Sequence, residues 1–432
     1  MKAFSGGIKP KHSKLTEKKE VKAAKLPKRV VIPLLQHTGA VCKPLVNVND
    51  HVAVGQKIGD SEEDMSALIH ASISGVVKEI KEMPHPLGTK VNSVIIESDG
   101  KIEWHESVKA RDNVDSLSKE ELLKIIKEAG IVGLGGAGFP THVKLNVKDK
   151  KIDTLIINGA ECEPYLTADH RLMLEQTEKI VKGLEIIKKV VGAEKAIIGV
   201  EDNKKDAIAL LYEKVKDKNI EIVSLKTRYP QGAEKLLIYS ILGRKVPARG
   251  LPLDVNVVVN NVGTAKAVHD AVYENKPVIE RIVTVTGAVK DPGNFTVRIG
   301  VLFKDLIEEC NGYSGDTKKI IMGGPMMGIA QETANVPVVK GTTGLLVLDK
   351  IDIEAKEPCI KCARCVDACP MLLIPAFIAK FSGKELYEQA DSFNALDCFE
   401  CGCCAYVCPS KIPLVELIKK GKMEIMKKLK KK

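Results

Sequence analysis

Eight of the twelve cysteines in this 432-residue chain form two copies of one spacing, C-x2-C-x2-C-x3-C followed by proline. The runs are Cys359, Cys362, Cys365 and Cys369, and then Cys398, Cys401, Cys404 and Cys408. This spacing is typical of bacterial ferredoxins with two [4Fe–4S] clusters, in which the last cysteine of each run binds the other run's cluster. The expected ligands are therefore Cys359, Cys362, Cys365 with Cys408 (the first set) and Cys398, Cys401, Cys404 with Cys369 (the second set). These residues predict one-electron transfer through two clusters.

The cysteines admit two other interpretations. Structural zinc usually uses two separated CxxC pairs, not two four-cysteine runs that each end in proline. Cys403 lies inside the second run and could replace Cys404 as a ligand, but the register of the repeat favours Cys404. Cys42, Cys162 and Cys310 stand alone, and we interpret them as small buried hydrophobic side chains.

A glycine-rich segment, GLGGAGFP, covers residues 133–140. Glycine lets backbone N–H groups approach a phosphate or lie flat against a planar ring. Gly133, Gly135 and Gly138 match the G-x-G-x-x-G spacing of dinucleotide folds, but those folds place a strand before the motif and a long helix after it. Here a predicted helix precedes the motif. By itself the segment fits a turn between core elements as well as it fits a nucleotide site.

The composition narrows the class of protein. Hydrophobic residues make up 44% of the chain and charged residues 28%, which excludes global disorder. No run of about 18 uncharged apolar residues occurs, so no membrane-spanning helix is predicted. The first residues lack the apolar stretch of a secretory signal, which favours a cytoplasmic chain with reduced thiols. The net charge of +10 fits an acidic partner or a membrane surface, whereas the 4% aromatic content argues against nucleic acid.

The elements that must position these residues fall into several parts. The predicted parts are a basic arm (1–29), a barrel-sandwich domain of biotinyl/lipoyl type (30–112), an α/β domain (113–270), a ubiquitin-like β-grasp domain (271–345), a ferredoxin-type domain (346–412) and a basic tail (413–432). The arm is expected to be loosely packed. The barrel-sandwich tip near Glu63–Ser66 has no lysine for a swinging arm, so we interpret this domain as a docking module. Residues 116–129 predict a helix capped by Ser116 or Ser118.

The tail has an amphipathic pattern. Its predicted helix places five apolar residues on one face: Leu414, Leu417, Ile418, Ile425 and Leu429. Eight lysines follow residue 418. We interpret the tail either as a solubilising end or as a helix that binds a membrane surface or a partner.

Four motifs occur in the order found in NADH-oxidising flavoproteins: GLGGAGFPTHVKL from 133, NGAECEP from 158, YPQGAEKLL from 229 and NNVGT from 260. They resemble the flavin subunit of respiratory complex I. Over residues 5–415 the order of parts is similar to that of the RnfC family, the C subunits of Rnf electron-transport complexes. The resemblance implies a multidomain α/β fold with a Rossmann-like FMN/NADH domain, an SLBB β-grasp unit and an α-helical domain with two [4Fe–4S] clusters.

The same resemblance implies residue roles. FMN would be lined by Gly133, Gly135, Gly136 and Gly138, with Lys144 at its phosphate or polar edge and Asn158 in contact with the flavin. Phe139 would stack on the nicotinamide nucleotide, and Glu161 and Glu163 would shape the catalytic nicotinamide side. Tyr229, Gly232 and Glu234 match a further cofactor loop, and Asn260, Asn261 and Thr264 match the asparagine loop.

Three residues depart from the complex I pattern. Ala160 and Ala233 replace acids, and Val147 stands where a second aromatic ring would sandwich the base of the nucleotide. The loss of a stacking partner forfeits on the order of 1 kcal/mol. We therefore expect weaker or differently posed NAD(H) binding, whereas FMN binding is less affected.

The implied function is that of a peripheral electron-input component of an ion-translocating ferredoxin:NAD⁺ oxidoreductase. It would act at the cytoplasmic side of the inner membrane, with the other Rnf subunits as partners and with membrane contact by association only. A flavin suits this position because it accepts a two-electron hydride and releases single electrons. The alternatives are a cobalamin reductase of bacterial microcompartments and a non-catalytic iron–sulfur relay scaffold.

Overall fold

The structure is a computed structural model that describes residues 4–148, 150–351 and 355–430. Residues 1–3 of the arm, residue 149 of the α/β domain, residues 352–354 of the ferredoxin-type domain and residues 431–432 of the tail lie outside the described residues. The described chain is a multidomain α/β protein, as predicted.

The arm is packed against the rest of the protein. Phe4 and Ile8 are buried, and strand β1 (Val21–Ala23) joins a sheet edge by pairing in parallel with Asn294–Thr296. Thr16 is fully buried and shares a hydrogen bond with Thr167 across 151 residues of sequence. The expectation of a loosely packed arm is therefore wrong for the described part of it, because apolar and polar residues along it find buried positions.

The barrel-sandwich domain consists of two small sheets. Its strands are β2 (Arg29–Pro33), β3 (Lys43–Pro44), β4 (His51–Val52), β5 (Lys57–Asp60), β6 (Ile69–His70), β7 (Gly75–Pro84) and β8 (Lys90–Ser98). One sheet has the order β2-β8-β7-β4 and the other β3-β5-β6, and all neighbours are antiparallel. The tip lies against the α/β domain, since the Asp64 carbonyl is 3.1 Å from His142 Nε2 and the Asp64 carboxylate pairs with Lys127.

The α/β domain contains a four-stranded parallel sheet covered by helices. Its elements are α1 (Lys119–Glu128), α2 (Thr141–Leu145), β9 (Thr154–Gly159), α3 (Ala168–Glu175), α4 (Thr177–Val191), β10 (Lys195–Glu201), α5 (Lys205–Val215), β11 (Ile220–Leu225), α6 (Glu234–Leu242), β12 (Val257–Asn261) and α7 (Val262–Glu274), with a 3₁₀ turn at Pro252–Val255.

The start of α1 follows from a capping box: Ser118 Oγ accepts from the Glu121 amide and the Glu121 carboxylate accepts from the Ser118 amide. Ser118, not Ser116, is therefore the cap.

The strand order of this sheet is β11-β10-β9-β12. The chain runs from β9 outward through β10 to β11 and then returns to the other side of β9 as β12. The returning helix α6 packs on one face of the sheet, whereas α4, α5 and α7 pack on the opposite face. The loops after β9 and β12 lead to α3 and α7, which pack against each other on the same face of the sheet. The carboxyl ends of β9 and β12 lie side by side at the edge that is the usual ligand position in open α/β sheets, and we call this place the crevice.

The β-grasp domain shares its core with the barrel-sandwich domain. Its elements are β13 (Glu280–Gly287), β14 (Gly293–Arg298), α8 (Phe303–Glu309), β15 (Lys319–Met322), β16 (Ile329–Gln331) and β17 (Gly344–Leu348), in the sheet order β1-β14-β13-β17-β15-β16. Val30, Ile32 and Ile96 of the barrel-sandwich domain belong to the same buried cluster as Val283 and Phe303 of the β-grasp domain. These two parts are separate in sequence, but they pack as one body.

Two elements cross predicted domain boundaries: α7 runs past the boundary at residue 270, and β17 runs past the boundary at residue 345.

Lys340 lies buried where three of these parts meet. Its Nζ donates to the carbonyls of Leu68 at 2.6 Å and Gly130 at 2.7 Å, and its amide donates to Gln36 Oε1 at 3.1 Å. Burial lowers the pKa of Lys340 to about 7. A neutral amine has two N–H donors, which matches the two carbonyls.

The ferredoxin-type domain is formed from short helices, and the tail packs onto it. The elements are α9 (Arg364–Asp367), α10 (Pro375–Gly383), α11 (Tyr387–Ser392), a 3₁₀ turn (Ala395–Asp397), α12 (Cys403–Tyr406) and α13 (Leu414–Lys430). Leu414, Ile418 and Ile425 are buried in the core of this domain, whereas Leu429 is 50% exposed. The predicted helix is present, but as far as Ile425 its apolar face is covered by the ferredoxin-type domain and does not face a membrane surface or a partner.

Candidate functional site

The crevice between β9 and β12 brings two predicted motifs together. The strands are paired in parallel with Asn158 opposite Asn261, so the NGAECEP and NNVGT motifs leave the sheet side by side. The glycine-rich segment lies against the second of them, where Thr264 Oγ1 accepts a hydrogen bond from the Leu134 amide at 3.0 Å. Long-range contacts thus assemble motifs that are more than 100 residues apart.

The glycine-rich segment is a tight loop with an open outer side. Its neck is closed by hydrogen bonds from the Gly133 amide to the Phe139 carbonyl at 2.9 Å and from the Gly138 amide to the Gly133 carbonyl at 3.2 Å. Gly136 has a φ of +113° with no other atom within 4 Å of the position of a Cβ. The Gly138 carbonyl accepts from the Thr38 amide at 2.9 Å, so the barrel-sandwich domain supports the loop from behind. This leaves an exposed glycine cradle at the crevice.

The third motif is tied to the first two by side chains. Asn158 Nδ2 donates to the Gly232 carbonyl at 2.9 Å, and Asn158 Oδ1 accepts from the Ala160 amide at 3.0 Å. Lys144 Nζ pairs with Glu234 Oε1 at 2.6 Å, and both side chains are about one-third exposed. The Lys144 ammonium is therefore engaged by a carboxylate within hydrogen-bonding distance.

The two asparagines after β12 differ in their surroundings. Asn261 caps α7, since its Oδ1 accepts from the Gly263 amide at 2.8 Å, and its Nδ2 donates to Asp169 Oδ2 at 2.7 Å. Burial and the nearby Glu161 charge raise the pKa of Asp169 to about 7. Asn260 Nδ2 is buried and has no hydrogen-bond partner among the described residues. A buried donor without an acceptor is costly, so Asn260 fits a bound polar ligand at this crevice.

Glu161 and Glu163 are both engaged by backbone amides. The Glu161 carboxylate accepts from the Asp169 and His170 amides at 2.9 and 3.3 Å, which is favourable at the N-terminus of α3. The Glu163 carboxylate accepts from the Met326 and Met327 amides at 3.1 and 2.8 Å, and burial raises its pKa. In this structure both carboxylates connect segments, and their catalytic assignment stays a prediction.

The three departures from the complex I pattern have different environments. Val147 is buried in the main core of the α/β domain, so it does not face the crevice. The expectation that position 147 flanks the nucleotide base is therefore wrong for this chain. Ala160 is 8% exposed beside the crevice, and Ala233 precedes the first turn of α6. Phe139, the remaining aromatic candidate, is half-buried beside the glycine cradle.

A residue that the sequence did not indicate supports the NGAECEP loop. Lys14 of the arm donates from Nζ to the carbonyls of Glu161 and Glu163, both at 2.9 Å, and to that of Leu166. Burial lowers the pKa of Lys14. No spacing or motif distinguishes Lys14 from the other lysines of the arm, so only the fold reveals it.

The second cysteine set lines a single cavity. Cys369, Cys398, Cys401 and Cys404 line this small cavity together with Cys403 and with apolar residues that include Ile378 and Ile418. Burial raises the pKa of Cys398 to about 11, and the nearby Cys401 and Cys369 thiols act in the same direction. Cys369, Cys401 and Cys404 are buried and Cys398 is half-buried. Thiols in such an environment become thiolates only beside a compensating cation, so this donor set fits an iron–sulfur cluster. Cys369 joins the second run here, as the ferredoxin pattern predicts.

The first cysteine set lies at the surface. Cys359 and Cys362 are exposed, Cys365 is half-buried and Cys408 is buried. Burial raises the pKa of Cys365, and the Cys408 and Cys359 thiols add to that rise. Cys365 packs against the apolar cluster that contains Cys408, which again joins the two runs.

The second set adjoins the α/β domain. Tyr229 is 1% exposed and packs with Ile8, Ala368, Cys401 and Cys403. Its hydroxyl donates to the Cys401 carbonyl at 2.7 Å. Burial raises the pKa of this phenol, so it remains a donor. Tyr229, predicted as part of a cofactor loop, thus directs its hydroxyl to the cysteine domain.

Four family models match successive parts of the chain. They are the RnfC barrel sandwich hybrid domain (residues 2–101), the Nuo51 FMN-binding domain (126–270), the SLBB domain (282–330) and the 4Fe-4S dicluster domain (358–412). Together they follow the predicted order of parts.

Curated relatives match the chain over most of its length. The C subunit of the proton-translocating ferredoxin:NAD(+) oxidoreductase complex of Clostridium ljungdahlii is 48% identical over 92% of this chain and 88% of its own. The C subunit of the Na(+)-translocating ferredoxin:NAD(+) oxidoreductase complex of Acetobacterium woodii is 46% identical over 98% of this chain and 97% of its own. The C subunit of the ion-translocating oxidoreductase complex of Rhodobacter capsulatus is 41% identical over 87% of this chain and 74% of its own.

A solved structure has a similar fold. A chain of the NAD+-reducing [NiFe]-hydrogenase in the H2-reduced state superposes with a TM-score of 0.51 at 18% identity, covering 73% of this chain and 62% of that one.

In the described ranges, none of the helices has the length and apolar character needed to cross a membrane.

Proposed function

This chain belongs to the RnfC family, the C subunits of ion-translocating ferredoxin:NAD(+) oxidoreductase complexes, and from that premise we propose which of its residues bind FMN, NAD(H) and the iron–sulfur clusters. It is the electron-transfer component of a multi-subunit oxidoreductase with FMN, two [4Fe–4S] clusters and NAD(H). When bound, FMN exchanges a two-electron hydride with NAD(H), and the clusters accept electrons singly. The observation that carries this proposal is the convergence of four separate motifs at one crevice, near a cavity lined by the second cysteine set and Cys403.

We assign FMN binding to the crevice between β9 and β12. The glycine cradle provides backbone amides and room for a flat ring, with Gly133, Gly135, Gly136 and Gly138 as its members. The unpaired Asn260 Nδ2 is a donor for a polar group of the flavin. Asn158, Gly232 and Glu234 would border the ring, and Asn261 and Thr264 would hold the cradle in place.

NAD(H) would approach over Phe139 on the exposed side of the cradle. Glu161 and Glu163 would shape that catalytic side through the loop they stabilise. Because Val147 is buried and does not face the crevice, it gives no support to weaker nucleotide binding than in complex I.

Cluster binding is assigned to the two cysteine sets. Cys404, not Cys403, would complete the second set, because Cys404 packs with Cys369 in the core of the ferredoxin-type domain. Cys403 also lines the cavity, but with Cys401 it belongs to the apolar cluster around Tyr229 and, unlike Cys404, it is not part of the core that contains Cys369. The first set, with its exposed cysteines, suits electron exchange with a partner.

We propose that the protein is peripheral and lies on the cytoplasmic side of the inner membrane, with the membrane and ferredoxin-type subunits of the complex as its partners. The names of the relatives, which translocate protons or sodium ions, support membrane association. The cobalamin reductase alternative is not favoured by these relatives.

The test is an anaerobic titration of the iron- and flavin-loaded chain with NADH, in which flavin absorbance and cluster signals are followed together. We expect about eight irons and one FMN per chain, with bleaching of the flavin followed by cluster reduction. Tight zinc in place of iron would contradict the cluster assignment. Intact clusters with a flavin that NADH does not bleach would instead support the non-catalytic relay scaffold.

A further inference from the structure

Tyr229 links the cofactor crevice to the second cysteine set through its side chain, in an apolar cluster that also includes Cys162 and Met326. Its backbone lies three residues before Gly232, whose carbonyl accepts from Asn158 at the crevice. Its ring is buried, and its hydroxyl donates to the carbonyl of Cys401 at 2.7 Å. One residue therefore contacts a cluster ligand and belongs to the loop at the flavin site.

The arm holds Tyr229 in this position. Ile8 and Tyr229 exchange two backbone hydrogen bonds, of 2.8 and 3.0 Å, and Gly7 donates to the Ala368 carbonyl at 2.9 Å. A Cβ on Gly7 would lie 2.6 Å from the Tyr229 carbonyl oxygen, so the two backbones are in close contact. Tyr229 is thus held in place through its backbone, and its hydroxyl lies within reach of the Cys401 carbonyl and of the Glu163 carboxylate.

The loop that Tyr229 contacts carries three of the four ligands of the second set. A hydrogen bond to the Cys401 peptide fixes the orientation of that peptide dipole beside the ligand sulfur. Reduction potentials of iron–sulfur clusters depend on hydrogen bonds and solvent exposure around the sulfurs. Among the described residues, no comparable contact from the α/β domain reaches Cys359 or Cys362 of the first set. Both of these cysteines are exposed.

We infer that Tyr229 is a positioning residue that seats the second cysteine set against the flavin side and raises the reduction potential of the cluster held there. This inference rests on the proposed function, because it requires that the second set binds a cluster. The first set, without such a contact, is independent of Tyr229.

The test is a dithionite titration, followed by EPR, of the full chain carrying Tyr229→Phe. The matched control is Tyr212→Phe, because the Tyr212 hydroxyl also donates to a backbone carbonyl, that of Ile222 at 2.9 Å, but at the far edge of the α/β domain. Cys362→Ser, which alters only the first set, assigns the signals. We expect Y229F to lower the reduced-to-oxidised ratio of the second-set cluster about threefold or more at a fixed potential. The first-set cluster and both clusters of Y212F should keep their wild-type ratios.

A second variant covers the case in which Y229F does not retain iron. 3-Fluorotyrosine introduced at position 229 keeps the ring and the hydroxyl but makes the hydroxyl a stronger donor, so the ratio should rise. No change in either variant, or equal changes at both clusters, would overturn the inference. The dithionite titration needs neither NADH nor flavin. A chain whose flavin is not reduced by NADH would therefore refute the proposed function while leaving this test intact.

Discussion

Lys14 Nζ donates to the carbonyl of Glu161 at 2.9 Å, although the two residues are 147 positions apart in the sequence. The same ammonium also binds the carbonyls of Glu163 and Leu166. An N-terminal lysine thus determines the shape of the loop that follows β9. The arm therefore supports the loop that we assign to the cofactor site.

Substitution of Lys14 should accordingly destabilise the protein. Lys14→Met removes three hydrogen bonds from a charged donor and leaves three carbonyls unpaired, which we expect to cost about 2–3 kcal/mol of unfolding free energy. Urea unfolding measures this change, with Lys11→Met, at an exposed lysine of the same arm, as the control. Equal stability of the two variants would contradict the role of Lys14.

The glycine cradle predicts a selective loss of flavin. Gly136→Ala places a Cβ on a backbone with φ of +113°, in the space assigned to FMN, and we expect FMN affinity to fall about tenfold or more. Gly88→Ala is the control, since Gly88 also has a positive φ, +82°, and open space around it, but lies in the β7–β8 turn. Flavin released from each purified variant is quantified by fluorescence. If the two variants lose similar amounts of flavin, backbone strain and not the FMN site explains the loss.

The register of the second cysteine run can be tested with adjacent residues. Cys404→Ser should reduce the iron content from about eight to about four per chain, whereas Cys403→Ser should leave it near eight. Cys404 packs with Cys369, and Cys403 packs with Tyr229, which is the reason for the difference. Iron analysis and EPR of anaerobically purified protein measure the outcome. The reverse pattern would show that Cys403, and not Cys404, is the ligand.

The buried Lys340 predicts a pH-dependent stability. Its pKa is about 7 in the folded protein and near 10.5 when exposed, so between these values the unfolded chain binds one more proton. Stability should therefore rise with pH from about 7 to 10, by at most about 1.4 kcal/mol per pH unit, and remain independent of this group below pH 7. Lys340→Met should lose this rise. Unfolding curves between pH 6 and 10 compare the two proteins, and parallel pH profiles would refute the assignment.

Much of this protein was predictable from local patterns. The two cysteine runs identify a pair of clusters because three ligands of each cluster belong to one short loop, so spacing alone defines the geometry. The helix at Lys119–Glu128 follows from hydrogen bonds between Ser118 and Glu121, which are three residues apart. The strands of the α/β domain follow from short apolar runs, and the four motifs identified the crevice.

What the tertiary structure decided depends on contacts between distant segments. The sequence pattern could not indicate that Val147 turns into the core or that the tail helix is covered as far as Ile425. Nor could it show that the barrel-sandwich and β-grasp domains share one core, or that Lys14 supports the flavin loop. The hydrogen bond from Tyr229 to Cys401 spans 172 residues of sequence. Partners of this kind are selected when separately formed elements pack, and the energy of a buried hydrogen bond depends on that packing, not on neighbours in the chain.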